Sequence, residues 1–289
     1  MSPNTRGALL MMGSMAAFTV NDAIVKLLGG SLPLFQIITL RGALTCVWIF
    51  LLARYLGALH LRFDRRDRTL VAMRCLSEVG ATFFFLTALM NMPLANVTAV
   101  LQALPLTVTL GAALIFGESV GWRRMSAIGI GFCGMLLIVR PGPDGFTTYA
   151  IYALLAVTCV TARDLITRRM STHVPSMVVT LATALTITCF GLLGSLTTTW
   201  VPLDLHLGLL IFGASVFVLM GYLCSVMVMR VGDVGFIAPF RYTSLIWALM
   251  LGWFIFGNWP DPVTMLGAGL VVATGLFTLF RERSRRRRA

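Results

Sequence analysis

Gly7-ALLMMGSMAAFTV-Asn21-Asp22-AIV-Lys26 and Tyr149-AIYALLAVTCVTA-Arg163-Asp164-LIT-Arg168 are the two stretches on which the fold turns. Each is an apolar run of helical length that closes on an acid, with a base four residues further on. Other echoes follow in the same order. Phe116-Gly117-Glu118 precedes Gly129-x-Gly131 in the first half, and Phe256-Gly257-Asn258 precedes Gly267-x-Gly269 in the second. The chain reads as one unit written twice. In a membrane protein, tandem halves are a hallmark of carriers, because an inverted duplicate can build two gates around one site.

Composition places the chain in a bilayer. It is 58% hydrophobic and 12% charged, whereas a soluble domain carries about a quarter charged residues. Apolar stretches of about 20 residues, the length that crosses a membrane, follow one another with short gaps. The first resembles a secretory signal, but Asn21, Asp22 and Lys26 make a poor cleavage region and further spans follow directly. It therefore reads as a transmembrane helix. Cys46, Cys75, Cys133, Cys159, Cys189 and Cys224 fall within spans and form no CxxC. They read as small packing residues, with neither a disulfide framework nor a metal site expected.

Breaks at glycine, proline and charge clusters give ten helices, at 6–28, 34–54, 70–90, 95–116, 123–140, 147–169, 175–198, 207–229, 234–256 and 262–281. The loop charges orient them. With both termini inside, the cytoplasmic segments hold Arg6, Arg54, Arg62, Arg65, Arg66, Arg68, Arg123, Arg124, Arg168, Arg169, Arg230 and the basic tail. The outer segments hold only Arg140, beside Asp144. This is the positive-inside pattern. The fold expected is an all-α integral membrane protein of ten transmembrane helices, with both termini cytoplasmic. Five helices per half force the second half to enter the membrane in the opposite sense, so the repeats are inverted: 1–142 and 143–281, then a basic tail at 282–289. The net charge of +12 serves topology and anionic lipid; no nucleic-acid partner is expected.

Ionisable residues inside spans are the functional clues, since each costs about 2.5–3.5 kcal/mol at a helix centre on insertion scales. Depth places Asp22, Lys26 and Arg41 in the outer part of the membrane. Arg74, Glu78, Arg163, Asp164, Arg168 and Arg241 fall in the inner part. Asp22–Lys26, Arg74–Glu78 and Asp164–Arg168 are spaced i,i+4 and share a helix face. The plain reading is mutual neutralisation; the functional reading is a charge cluster or gate at each mouth.

Arg241 lies in Ala238-Pro239-Phe240-Arg241-Tyr242. Its proline removes a backbone donor and frees carbonyls that only a cavity tolerates. An Arg beside a Tyr suits an anionic or planar aromatic ligand. The matching helix of the first half carries Gln102-Ala-Leu-Pro105, and two proline-interrupted helices at corresponding places point to a central site. Trp122, Trp200 and Trp259 read as interfacial belts, Trp247 and Trp253 as cavity-lining or lipid-facing, and Phe83-Phe84-Phe85 as packing. Gly129-x-Gly131-x-x-Gly134 and Gly267-x-Gly269 read as close helix contacts.

These features together resemble the drug/metabolite transporter superfamily, EamA type, over essentially the whole chain. The marks are the ten helices, the Asn21-Asp22 ending of the first, the Pro105 helix followed by Phe116-Gly117-Glu118, and the glycine-rich fifth and tenth helices. Ala162-Arg163-Asp164, Arg168-Arg169, Pro239-Phe240-Arg241-Tyr242 and Phe256-Gly257-Asn258-Trp259-Pro260 look most like the branch of bacterial riboflavin and S-adenosylmethionine transporters. The resemblance implies a multi-pass protein of the bacterial inner membrane that moves a small metabolite without a cofactor, as monomer or homodimer. It brings Asp22, Asp164, Arg241 and Tyr242 to the translocation path, joined on the residue reading by Asn21, Gln102 and Trp247. Riboflavin uptake is the first reading, because a planar ring suits Tyr242 and Trp247. S-adenosylmethionine uptake and metabolite export are the alternatives, and proton coupling, uniport and exchange all stay open. An embedded enzyme or a channel is the rival class, but His60, His173 and His206 lie apart from any acid cluster and no filter-like loop is visible.

Overall fold

A helix that must cross lipid satisfies every backbone group within itself, and all regular structure among the described residues is helical. The computed structural model describes residues 2–55, 57, 64–117, 121–139, 148–171, 173–228 and 234–286. His60, Arg62, Glu118, Arg140, Asp144, Arg230 and the last residues of the basic tail lie outside them. The helices are α1 (Pro3–Leu28), α2 (Leu34–Tyr55), α3 (Arg65–Asn91), α4 (Leu94–Leu101), α5 (Leu104–Phe116), α6 (Trp122–Val139), α7 (Thr148–Arg168), α8 (Ser176–Ser195), α9 (Leu205–Val228), α10 (Val234–Ile237), α11 (Thr243–Phe256) and α12 (Pro262–Arg286). A 3-10 turn, Ala238–Tyr242, joins α10 to α11. Among the described residues, eight helices, counting Leu94–Phe116 as one, are long and apolar enough to cross a membrane, and the apolar part of α6, Met125–Val139, is shorter.

The expected fourth and ninth spans are each broken, at matching points. Pro105 cannot donate to the carbonyl of Leu101, so the chain tightens at Gln102 (φ −66, ψ −12) and Ala103 (φ −73, ψ −9) before α5 begins. Pro239 does the same ahead of α11, where Tyr242 takes φ −66, ψ −12. The distal halves of both spans also end alike. Gly117 (φ 66) and Gly257 (φ 64) cap α5 and α11 in the left-handed conformation that glycine adopts without a Cβ penalty. The paired Phe-Gly motifs are therefore helix stops.

Packing is reciprocal between the two halves of the chain. The most extensive contacts join α1 to α9, α3 to α7, α2 to α8 and α6 to α12, so each crosses from one half to the other. Small residues permit the approach. Ser14 Oγ donates to the carbonyl of Gly221 at 2.8 Å, where α1 meets α9. A Cβ on Gly134 would stand 2.8 Å from the Gly267 carbonyl, and a Cβ on Gly267 would meet Gly134 in turn. Gly131 is also pressed, against Leu106 and Thr274, whereas Gly129 and Gly269 have nothing within 4 Å. The expected glycine contact thus involves only some of its residues, because the others rotate away from the α6–α12 seam. Gly134→Leu should lower the thermal midpoint in detergent by the cost of overpacking, about 1–3 kcal/mol. Gly129→Leu should melt with the parent, and equal melts for both variants would refute this seam.

Candidate functional site: a charged cavity between two broken helices

A cavity of ≈ 480 Å³ opens between the breaks, within the size range of pockets that hold drug-sized ligands. Its polar wall carries Asp22, Glu78, Arg163, Asp164, Arg168 and Arg241, with Gln102, Tyr242 and Ser244 at the breaks; Met15, Phe18, Phe85, Leu101 and Val108 supply an apolar side. Of the residues expected here, Asn21, Lys26, Arg41, Arg74 and Trp247 do not border it. Arg168 and Arg241 are exposed and mark its open end. Beyond Asp22 it is closed by apolar packing of Val25, Leu28, Leu89, Leu94 and Ala248.

The i,i+4 pairs of the sequence reading are largely replaced by bonds between helices. Lys26 turns from Asp22 and donates to the carbonyls of Leu89 (2.9 Å) and Met92 (2.6 Å), neutralising the carbonyl end of α3. Its ammonium also lies 5.5 Å from the Phe256 ring centroid. A matching contact sits at the end of α7, where the Arg169 guanidinium lies 4.9 Å from the Phe116 ring centroid. Each cation thus covers the phenylalanine preceding a left-handed glycine in the opposite half of the chain. Arg74 likewise leaves Glu78 and donates to Thr167 Oγ1 (3.1 Å) and Thr183 Oγ1 (2.6 Å).

Glu78 is answered from α7. Arg163 Nη1 donates to both of its carboxylate oxygens at 3.1 Å. The same guanidinium reaches Asp164 Oδ1 through Nε at 2.9 Å and Nη2 at 2.8 Å. One arginine therefore holds two carboxylates, and its planar fork makes that possible. In α1 the equivalent position is Asn21, whose Nδ2 donates to Asp22 Oδ1 at 2.9 Å while its Oδ1 accepts from Arg41 Nη1 at 3.0 Å. Acid and preceding residue are bonded in both helices, although an amide replaces a guanidinium.

Tyr222 is the component that the sequence did not reveal. It packs edge-on against Phe18, with centroids 5.4 Å apart. It lies within electrostatic reach of Arg41, Arg74, Glu78 and Arg163. Tyr222 on α9 thus lies between the groups expected as separate clusters at the two mouths. A tyrosine in an otherwise apolar span was the only available signal.

The breaks meet at Gln102. Its Nε2 donates to Ser244 Oγ at 2.7 Å and lies 3.5 Å from the Tyr242 carbonyl. Tyr242 borders the cavity, but its hydroxyl is buried without a hydrogen-bond partner, in room left by the missing side chain of Gly275. The Trp247 indole N–H is also buried and without a partner. No group of three or more His, Cys, Asp or Glu residues able to hold a metal occurs among the described residues. The arrangement can receive a small organic solute with polar groups on one side and an apolar body on the other.

Comparison with known proteins agrees with this architecture. The chain is 26% identical to a riboflavin transporter of Vibrio cholerae serotype O1, over 98% of this chain and 96% of that protein. It is 25% identical to an S-adenosylmethionine uptake transporter of Rickettsia conorii, over 93% and 91%. It is also 25% identical to a pseudopaline exporter of Pseudomonas aeruginosa, over 92% and 93%. A solved crystal structure superposes with a TM-score of 0.66 over 99% of each chain at 18% identity, and bears on fold alone. The description of the EamA-like transporter family matches residues 5–140 and again 147–280. With nearly its whole length matched, the chain is a multi-pass membrane protein of the EamA-like transporter family.

Proposed function

We propose that this chain carries a small organic metabolite across the bacterial inner membrane by alternating access, its two halves forming inverted repeats with both termini in the cytoplasm. The observation that carries this reading is the ≈ 480 Å³ cavity at the junction of two matched, broken helices, open at one end and sealed at the other. On the orientation inferred from the loop charges, the open end faces the cytoplasm and the conformation is inward-facing. The two family matches and the reciprocal helix pairing support the repeat.

Riboflavin uptake is the first substrate reading, supported by the named relatives. Its original basis, stacking on Tyr242 and Trp247, is narrower now that Trp247 lies off the wall. A second reading, an S-adenosylmethionine-like solute with an amino-acid tail, is favoured by the exposed guanidinium of Arg241 on the wall. Ligand-dependent thermal stabilisation with flavins, S-adenosylmethionine, amino acids and nucleotides, followed by counterflow into vesicles containing the purified protein, tests the function. Saturable counterflow of a stabilising ligand is the expected result. Unsaturable flux would show a channel, chemical conversion an enzyme, and either would overturn the carrier.

A further inference from the structure

The ionisable groups on the cavity wall do not cancel in place. Glu78 and Asp164 are both bonded to Arg163. Asp22 accepts from Asn21, with Arg41 directly behind it. Each wall carboxylate therefore already has its donor, and none is left to answer Arg241. Among the described residues the Arg241 side chain makes no hydrogen bond or ion pair, although it borders the cavity and is exposed there. A fork of guanidinium donors in a partly apolar chamber matches a carboxylate or phosphate.

The backbone sets the point from which this side chain departs. Pro239 opens the 3-10 turn that carries Arg241. Ser244 Oγ donates to the Arg241 carbonyl at 3.0 Å and accepts from Gln102 Nε2 at 2.7 Å. A relay of two hydrogen bonds thus ties the break in the first half to the residue presented by the second. The neighbouring Tyr242 offers no polar group to a ligand, because its hydroxyl is buried against Gly275.

We propose that Arg241 receives a carboxylate or phosphate group of the transported metabolite, and that Gln102, through Ser244, is the positioning residue that sets its place. The cargo is then an organic anion or zwitterion whose apolar part lies toward Phe85, Leu101 and Val108, which favours the S-adenosylmethionine-like reading over riboflavin, a neutral ring compound. This inference rests on the cavity being the transport site.

Matched solutes with and without the acid group test it: riboflavin 5′-phosphate against riboflavin, S-adenosylmethionine against decarboxylated S-adenosylmethionine, and tryptophan against tryptophanamide. Binding to the purified full chain is measured in phosphatidylcholine vesicles and again with phosphatidylglycerol added. In at least one pair the acid member should bind ten-fold or more tightly. In Arg241→Gln that ratio should fall below about three-fold, Arg241→Lys should keep part of it, and all variants should elute from gel filtration as the parent does. Gln102→Leu should weaken the acid member and leave its neutral partner unchanged, a split that a general loss of structure would not produce. The proposal is overturned if no pair prefers the acid, or if the preference survives Arg241→Gln. It is also overturned if phosphatidylglycerol abolishes the preference, since a lipid headgroup would then be the anion at Arg241. Counterflow judges the carrier reading separately: saturable exchange of a neutral solute without acid preference sinks this inference alone.

Discussion

Arg163→Met is expected to be the most damaging single substitution outside the helix seams. It removes the one cation bonded to both Glu78 and Asp164 and leaves two carboxylates on a cavity wall within the bilayer. The side chains of Arg163 and Glu78 are only 23% and 14% exposed, so water replaces the lost partner poorly. Breaking a buried pair from one side costs about 3–5 kcal/mol, most of it the burden of the stranded charge. The thermal midpoint should fall sharply and transport should be lost. Arg163→Lys should recover little, because an ammonium cannot make the four contacts of the fork. Arg163→Met combined with Glu78→Gln should recover part of the stability, since the second change removes a stranded charge. A single Arg163→Met protein that melts with the parent would refute this account.

Lys26→Met is expected to act on conformation more than on folding. The ammonium joins α1 to the carbonyl end of α3 through two short hydrogen bonds and touches Phe256 at the end of α11. Hydrogen bonds to a charged donor contribute about 1.5–3 kcal/mol each. The carbonyls remain able to bind water once the seal opens, so only part of that sum separates the conformations. About 1.4 kcal/mol already moves an equilibrium ten-fold. Amide hydrogen exchange over residues 24–30 and 89–96 should quicken about ten-fold or more, with little change in the thermal midpoint. Unchanged exchange in those segments would show that the apolar packing of Val25, Leu28, Leu89 and Leu94 closes this end by itself.

The legibility of the sequence differed by level. Hydropathy and breaker residues located the helices, because a bilayer imposes length and composition on each span separately. The breaks near Pro105 and Pro239 were legible for the same local reason. Partners were not. The i,i+4 rule sees a single helix, and it paired Lys26 with Asp22 and Arg74 with Glu78. The folded chain instead offers carbonyls on α3, hydroxyls on α7 and α8, and a carboxylate facing Arg163 across α3 and α7. Those choices depend on helix rotation, which composition leaves undetermined. Trp247 shows the same limit: its position on α11 was clear, but sequence left cavity and lipid as alternative facings, and it does not line this cavity. Tyr222 comes near the charged groups because α9 packs on α1.

The interleaving of the halves also bears on how the chain is made. α1, α2 and α3 leave the ribosome first, yet the helices they pack against most extensively are α9, α8 and α7. Until those arrive, Arg74 sits in lipid without Thr167 and Thr183, and Glu78 waits for Arg163. The early product is thus a set of inserted but unassembled helices, exposed to quality control for as long as translation of the second half takes. Defects in α7 to α9 should therefore appear as loss of the whole protein, with no stable half left behind.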